Sequence, residues 1–244
     1  MNTSHSEAPH VFERLDVATC GDPFQVHLHE QRYSKALSEV KPSDDLLEIG
    51  TGLGVFSSRV APAVSTYRGI EYDATACTAA KSRVPDPESI TQGDAHSLQF
   101  PDSSFDAVIC LEVLEHLPDY RKALDEAARV LRPEGRLIAS IPYVKTGAPS
   151  KTNSHHLYEP GEEEFKRELA ERFGDLRIYY HRYTETSCET LARNLRLRRF
   201  LGLHHQYARM SGGHPEEMRK VLLDSERSGL LLGLFAVACR PRRQ

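Results

Sequence analysis

The sequence predicts an α/β protein built on a doubly wound, mostly parallel sheet of seven strands, with an antiparallel strand at the C-terminal end. Three observations predict it. Short apolar runs alternate with helical stretches of about 9–13 residues, a rhythm that implies right-handed crossovers between parallel strands. The first apolar run passes directly into a glycine-rich turn. After Pro142 the rhythm changes, and a last apolar run closes the chain.

The elements follow in order. Gln25–Val40 reads as a helix leading into the first strand, Asp45–Gly50. A helical stretch near Val55–Ala61 precedes the second strand, Thr66–Glu71, and Ala74–Arg83 is a second helix stopped by Pro85 and Pro87. Ser89–Thr91 is a weak third strand and Phe105–Leu111 a strong fourth. Tyr120–Leu131 carries Ala123, Leu124, Ala127, Ala128 and Leu131 at helical spacing, and Pro133 and Gly135 end it before a fifth strand at Arg136–Ile141. Val144–Ser154 is a polar loop of the kind that covers a site. Beyond it the pattern predicts a helix at Glu162–Phe173, an alternating strand at Asp175–Tyr183, a helix around Glu189–Phe200, a loop at Ser211–His214, a helix at Pro215–Glu226 and an inner strand at Leu230–Arg240. We therefore expect a helical segment or lid over residues 1–40 and one main domain over 41–244, with site-covering segments at about 143–162 and 184–228.

Composition narrows the function. A chain of 244 residues and 27.5 kDa buries roughly 70% of its unfolded surface as a single body. The net charge of −4 supplies no global basic field for nucleic acid or anionic membrane. Five scattered cysteines without a C-x-x-C spacing argue against both a disulfide framework and a cysteine zinc knuckle. Met1–His10 is polar, so no secretory signal is expected. The longest apolar run, Gly229–Cys239, is far short of the roughly 20 residues of a membrane span. The expectation is a soluble, cytoplasmic protein; oligomeric state has no signature in the sequence.

The most informative segment is Leu46-Leu47-Glu48-Ile49-Gly50-Thr51-Gly52-Leu53-Gly54. A strand ending in glycines before a helix aims backbone N–H groups at a ligand. Glu71 closes the second strand, where an acidic side chain can hold two ribose hydroxyls. The glycines run G-x-G-x-G, not the G-x-G-x-x-G of dinucleotide sites. Glu48, two residues before the first glycine, would repel a pyrophosphate but suits a cationic ligand end such as an ammonium. Asp73 rivals Glu71 for the ribose, but its place reads better as the N-cap of the next helix.

Six blocks in order carry a family resemblance: Glu48–Gly54, Gly69–Asp73, Gly93-Asp94-Ala95, Phe105–Val108, Glu112–Asp119 and Leu131–Leu137. Over about residues 25–183 the chain resembles a class I S-adenosylmethionine-dependent methyltransferase, in the type-11 group that includes ubiquinone-type O-methyltransferases. The resemblance implies a Rossmann-like fold and S-adenosyl-L-methionine as cofactor. It implies that Gly50, Gly52 and Gly54 line the amino-acid part and ribose, with Glu48 nearby, and that Glu71 takes the ribose hydroxyls. Tyr72 would flank the adenine, Asp94 would accept from its amino group with the Ala95 N–H beside it, and Leu111 would lie close to the sulfonium. Arg32 sits where relatives place an arginine for the cofactor carboxylate; a solvated helix arginine is the competing reading.

Methyl transfer is an in-line displacement, for which positioning and electrostatics supply much of the acceleration. A base is needed only where the nucleophile loses a proton. Glu112-Val113-Leu114-Glu115-His116 follows the fourth strand on the ligand side of such a sheet. His116 could act as general base with Glu112 or Glu115 orienting it. Alternatively Glu112, Glu115, His116 and His156 could bind one divalent cation, magnesium or manganese, that acidifies the acceptor hydroxyl. That set, with Tyr158, Glu159 and Phe165 following, is similar to small-RNA 3′-end 2′-O-methyltransferases, which use two Glu and two His as ligands. A substrate-orienting or structural role for the same residues is the third reading.

The remaining candidates mostly yield to simpler roles. The basic stretch Asn194–Arg199 with Arg209 reads as a helix face that could also meet RNA or a phosphorylated substrate; His181, His204 and His205 read as packing or surface residues, and Cys110 as core. Tyr143 and Tyr158 could wall an acceptor pocket or pack in the core. The expected activity is methylation of a small-molecule acceptor, at a hydroxyl, with an RNA 3′ end as the less favoured acceptor. A non-catalytic partner protein with the same fold is the alternative of another class; intact Glu71 and Asp94 speak against it.

Overall fold

The computed structural model describes residues 23–150, 153–183, 221–227 and 230–242. Helix α1 (Pro23–Ser38) leads into β1 (Asp45–Ile49). After the glycine turn come α2 (Ser57–Val60), β2 (Thr66–Glu71), α3 (Ala74–Lys81), β3 (Ile90–Gln92), β4 (Phe105–Leu111), α4 (Tyr120–Val130) and β5 (Leu131–Pro142). The chain continues through α5 (Glu162–Arg172), β6 (Phe173–Tyr183), β7 (Val221–Asp224) and β8 (Leu230–Pro241). The strands form one sheet in the order β3-β2-β1-β4-β5-β8-β6-β7. The β1–β2, β1–β4, β2–β3 and β4–β5 pairs are parallel, while β8 runs antiparallel between β5 and β6.

Strands β1 and β4 are apolar on both sides because helices cover both faces. Leu47, Ile49, Val108 and Cys110 pack with Leu124 and Ala127 of α4 and with Phe165 and Leu169 of α5. Leu46, Ala107 and Ile109 pack on the other face with Tyr33 and Ala36 of α1, Val60 of α2, and Cys77 and Ala80 of α3. Local chemistry sets the helix starts. The Asp73 carboxylate accepts from the Ala76 N–H at 2.8 Å, capping α3 as its spacing predicts, and Asp119 caps α4 through the Lys122 N–H. Three glutamates in the first turn of α5, Glu162, Glu163 and Glu164, meet the positive end of that helix.

Three expectations are corrected. Among the described residues the sheet has eight strands, not seven. The eighth is Val221–Asp224, expected as the end of a helix over Pro215–Glu226. These residues instead pair antiparallel with Tyr180–Tyr183, which satisfies the outer backbone edge of β6. Strand β5 begins at Leu131, not Arg136, taking in Pro133 and Gly135. Its register against β4 jumps from Phe105↔Leu131 to Ala107↔Arg136, and the irregularity absorbs both turn residues. The expected helix at 189–200 and loop at 211–214, with the basic stretch, His204 and His205, lie outside the described residues. Among the described residues no helix is long and apolar enough to cross a membrane.

Candidate active site

The strand order reverses at β1, with β2 and β3 on one side and β4 and β5 on the other. A crevice therefore opens beyond the carboxyl ends of β1 and β4, the usual place for a ligand in such sheets. The glycine turn lines it. Gly50, Gly52 and Gly54 have φ of +78°, +55° and +75°, a region that other L-residues adopt at a cost. A Cβ on Gly50 would lie 2.4 Å from Val113 Cγ2, and one on Gly54 would lie 2.6 Å from the Ala80 Cα. A Cβ on Gly52 would meet nothing within 4 Å among the described residues beyond its chain neighbours, so this glycine keeps the mouth of the crevice clear.

Glu71, at the end of β2, holds this turn. Its Oε2 accepts from the Gly52 N–H at 2.9 Å and its Oε1 from the Asp73 N–H at 3.0 Å, with the residue only 5% exposed. Glu48 is placed differently from its sequence expectation. Its carboxylate is fully buried and accepts from the hydroxyls of Tyr33 (2.7 Å), Ser57 (2.8 Å) and Tyr67 (2.5 Å). Burial pushes this carboxyl above its usual range, against the three hydroxyl donors that pull it down. Glu48 thus ties α1, α2 and β2 behind the turn and does not face a ligand ammonium.

Tyr72 projects from the end of β2 and is 74% exposed. Asp94 lies in the turn after β3, anchored to β2 by the Gly93 N–H, which donates to the Glu71 carbonyl at 3.0 Å. Ala95 and Leu111 are buried, Leu111 at the very end of β4.

Arg32 is not a solvated helix arginine. It is buried in α1, and its Nη2 lies 3.0 Å from Glu112 Oε2. Glu112 has a φ of +54°, rare for a side-chain-bearing residue, and its Oε1 accepts from the Ser140 hydroxyl of β5 at 2.7 Å. The carboxylate therefore bridges α1, β4 and β5. Near Arg32, His181 is a packing residue of β6, 1% exposed, with its Nε2 donating to Gln31 Oε1 at 2.8 Å. Burial, then the Arg32 charge, pushes its pKa down to about 2, and the same two causes push His29 down to about 4. Both rings stay neutral in the fold while the unfolded chain takes up protons below its ordinary histidine pKa of about 6.5. Stability is then complete above that pH and falls as pH drops. The His181 contribution alone amounts to about 2 kcal/mol between pH 7 and pH 5. Thermal melts across this range should show a falling Tm that His181→Gln flattens; equal slopes in both proteins would refute this account.

Beyond Glu112 the chain forms a single 3-10 turn, Leu114–His116. The segment after residue 153 closes on it, with the Leu157 and Tyr158 N–H groups donating to the Glu115 carbonyl. This brings together three of the four residues proposed as metal ligands: ligand atoms of Glu115, His116 and His156 all lie within 4.8 Å of one another. Glu112 does not join them, because Arg32 and Ser140 already hold its carboxylate. Glu115 is 1% exposed, and its Oε2 has no hydrogen-bond partner among the described residues. Burial first, and then the Glu112 charge, pushes its carboxyl well above the usual range. His116 Nδ1 faces the His155 carbonyl at 3.2 Å, so Nδ1 carries the proton and Nε2 is the basic nitrogen of the neutral ring. His156 Nδ1 faces Glu159 Oε1 at 2.7 Å with the same consequence, and the two imidazoles stand edge to face with centroids 4.8 Å apart.

Other candidates resolve into the framework. Cys110 is buried, and burial pushes its thiol up. Tyr158 stacks on Tyr120, and both hydroxyls donate to Glu164. Tyr143 is half-buried beside Arg227. Tyr33, Tyr67, Ser57 and Ser140, which hold the two central carboxylates, carry no sequence signal, since each meets its partner only through the fold.

A family profile described as "Methyltransferase domain" matches residues 47–139. The chain is 36% identical over 107 residues to a Mycobacterium tuberculosis protein described as "Probable S-adenosylmethionine-dependent methyltransferase", a match covering 44% of this chain and 39% of that one. It is 39% identical over 104 residues to the 27-O-demethylrifamycin SV methyltransferase of Amycolatopsis mediterranei, covering 40% of this chain and 38% of that one. These matches thus span about two fifths of the curated relatives' length. Among solved structures, the YcgJ protein of Bacillus subtilis superimposes with a TM-score of 0.59 at 20% identity, over 88% of this chain and all of that one.

Proposed function

Because the chain belongs to the class I S-adenosylmethionine-dependent methyltransferases, we propose that it methylates a small-molecule acceptor at a hydroxyl, with His116 as the base. The observation that carries this is the hydrogen bond from His116 Nδ1 to the His155 carbonyl, which leaves Nε2 basic just past the end of β4. A hydroxyl presented there would give its proton to Nε2 as its oxygen attacks.

The residues present suit the cofactor. The three positive-φ glycines bring a turn without side chains close to the crevice, and Gly52 leaves its mouth unfilled. Glu71 would hold the ribose hydroxyls, Asp94 the adenine amino group, and the exposed ring of Tyr72 one face of the base. Leu111 and Ala95 would furnish apolar wall and backbone. Arg32 would bind the carboxylate end while still braced by Glu112. Bound there, S-adenosylmethionine would supply an electrophilic methyl on a sulfonium. Helix α1 and the segment at about 143–162 would enclose the acceptor; the covering segment expected at about 184–228 lies largely outside the described residues.

A second reading is favoured by the buried, unpartnered Oε2 of Glu115. Glu115, His116 and His156 would hold a divalent cation, and two imidazoles with one carboxylate suit manganese better than magnesium. That reading would bring the RNA 3′-end acceptor forward, although the net charge of −4 does not favour RNA. Calorimetric titration with S-adenosylhomocysteine, repeated with manganese and with EDTA, tests both. Micromolar binding indifferent to EDTA is expected. Heat of manganese binding that disappears in His156→Ala would establish the cation site, and no binding of S-adenosylhomocysteine under any condition would leave a non-catalytic partner protein.

A further inference from the structure

Asp94, which would meet the adenine amino group, is paired with His96, a residue with no part in the proposed chemistry. The Asp94 Oδ1 accepts twice from the same residue, from the His96 backbone N–H at 2.8 Å and from the His96 Nδ1 at 2.7 Å. The turn that carries them is closed by the Ser97 N–H, which donates to the Asp94 carbonyl. The His96 side chain is largely buried, 15% exposed, while that of Asp94 is 47% exposed. His96 Nε2 is buried with no hydrogen-bond partner among the described residues, so the ring is held in place by its one bond to the carboxylate. With Nδ1 facing a carboxylate oxygen, that nitrogen carries the proton. Among the described residues no donor reaches the Asp94 Oδ2.

This geometry has a definite consequence. An unbraced aspartate on an exposed turn can rotate and offer either oxygen, or water held by either, to a ligand. Here the two bonds to Oδ1 fix the carboxylate plane and leave Oδ2 as the acceptor presented at the crevice end of β3. A single fixed acceptor rewards a ligand N–H donor and penalises a carbonyl oxygen at the same place, because two acceptors facing each other leave both unpaired. We infer that His96 is a positioning residue that makes Asp94 select a 6-aminopurine over a 6-oxopurine at this site. The inference rests on the reading that Asp94 meets the cofactor's adenine.

The test is a ratio. Affinities for S-adenosylhomocysteine and for its 6-oxo counterpart, S-inosylhomocysteine, are measured by calorimetry in the full-length wild type, Asp94→Ala, His96→Ala and His96→Asn. The wild type should prefer the amino compound by about tenfold or more, and Asp94→Ala should bring the ratio close to one. His96→Ala should lower the ratio by at least about threefold. His96→Asn, whose side-chain N–H can reach the same oxygen, should restore it to within about twofold of wild type. A general loss of stability moves both affinities together and leaves the ratio unchanged, so a merely structural role is distinguishable. A ratio that collapses in Asp94→Ala but holds in His96→Ala overturns the positioning role. A wild type without preference, or an Asp94→Ala ratio equal to wild type, overturns the adenine reading itself and the inference with it.

Discussion

Replacing Glu71 by alanine is expected to weaken S-adenosylhomocysteine binding by at least a factor of about 100. The proposed contact is a buried carboxylate accepting two ribose hydroxyls, and each hydrogen bond to a charged group contributes about 1.5–3 kcal/mol. The variant loses more than the ligand's bonds. Gly52 and Asp73 donate their N–H groups to the same carboxylate, so the turn whose backbone must meet the ligand also loses its brace. Glu71→Gln separates the two effects. Its amide oxygen can still accept from one N–H group, so the turn should hold while the loss of charge weakens the ribose contact by about tenfold. Calorimetry gives the affinities, and thermal melts show whether the turn has loosened. An affinity within threefold of wild type in Glu71→Ala would remove this residue from the ligand site and return Asp73 to consideration, although Asp73 is engaged in capping α3.

What could be read from the chain and what could not divides along sequence distance. Strand β4 falls at Phe105–Leu111 as expected, because an uninterrupted apolar run between turn residues has few alternatives. Asp73 as an N-cap was legible for the same reason, since its partner Ala76 is three residues away. Strand β7 was not. Val221–Asp224 is too short to carry a period, and its conformation follows from an open edge on β6 some forty residues earlier. Residue types at the site were legible while their roles were less so. Glu48 stands out beside the glycines, yet its hydroxyl partners come from positions 33, 57 and 67, and these turn it inward. Glu112 looked interchangeable with Glu115 within one motif. A positive φ and the approach of Arg32 from a helix eighty residues upstream send the two carboxylates to different tasks. His96 shows the opposite case, a pair two residues apart that no spacing rule singles out.

For His116 the expected result is a loss of turnover without a loss of binding. His116→Gln should lower kcat by about a hundredfold or more, the usual contribution of a positioned base, while the affinity for S-adenosylhomocysteine stays within about twofold. Methyl transfer followed as S-adenosylhomocysteine release, over a panel of alcohols and phenols of graded acidity, tells base catalysis from simple orientation. A base matters less as the acceptor hydroxyl becomes more acidic, so the deficit of the variant should shrink along the panel. Added imidazole should recover part of the activity in His116→Gly, where the missing side chain leaves room for it beside His156. A deficit constant across the panel would make His116 an orienting residue. Activity abolished by EDTA in the wild type and restored by manganese would instead assign its Nε2 to a cation shared with Glu115 and His156. The surroundings favour the base: Glu115 is buried with its carboxyl pushed well above the usual range, so the neutral acid is the form its environment stabilises. A neutral neighbour does not compete with His116 for the acceptor proton.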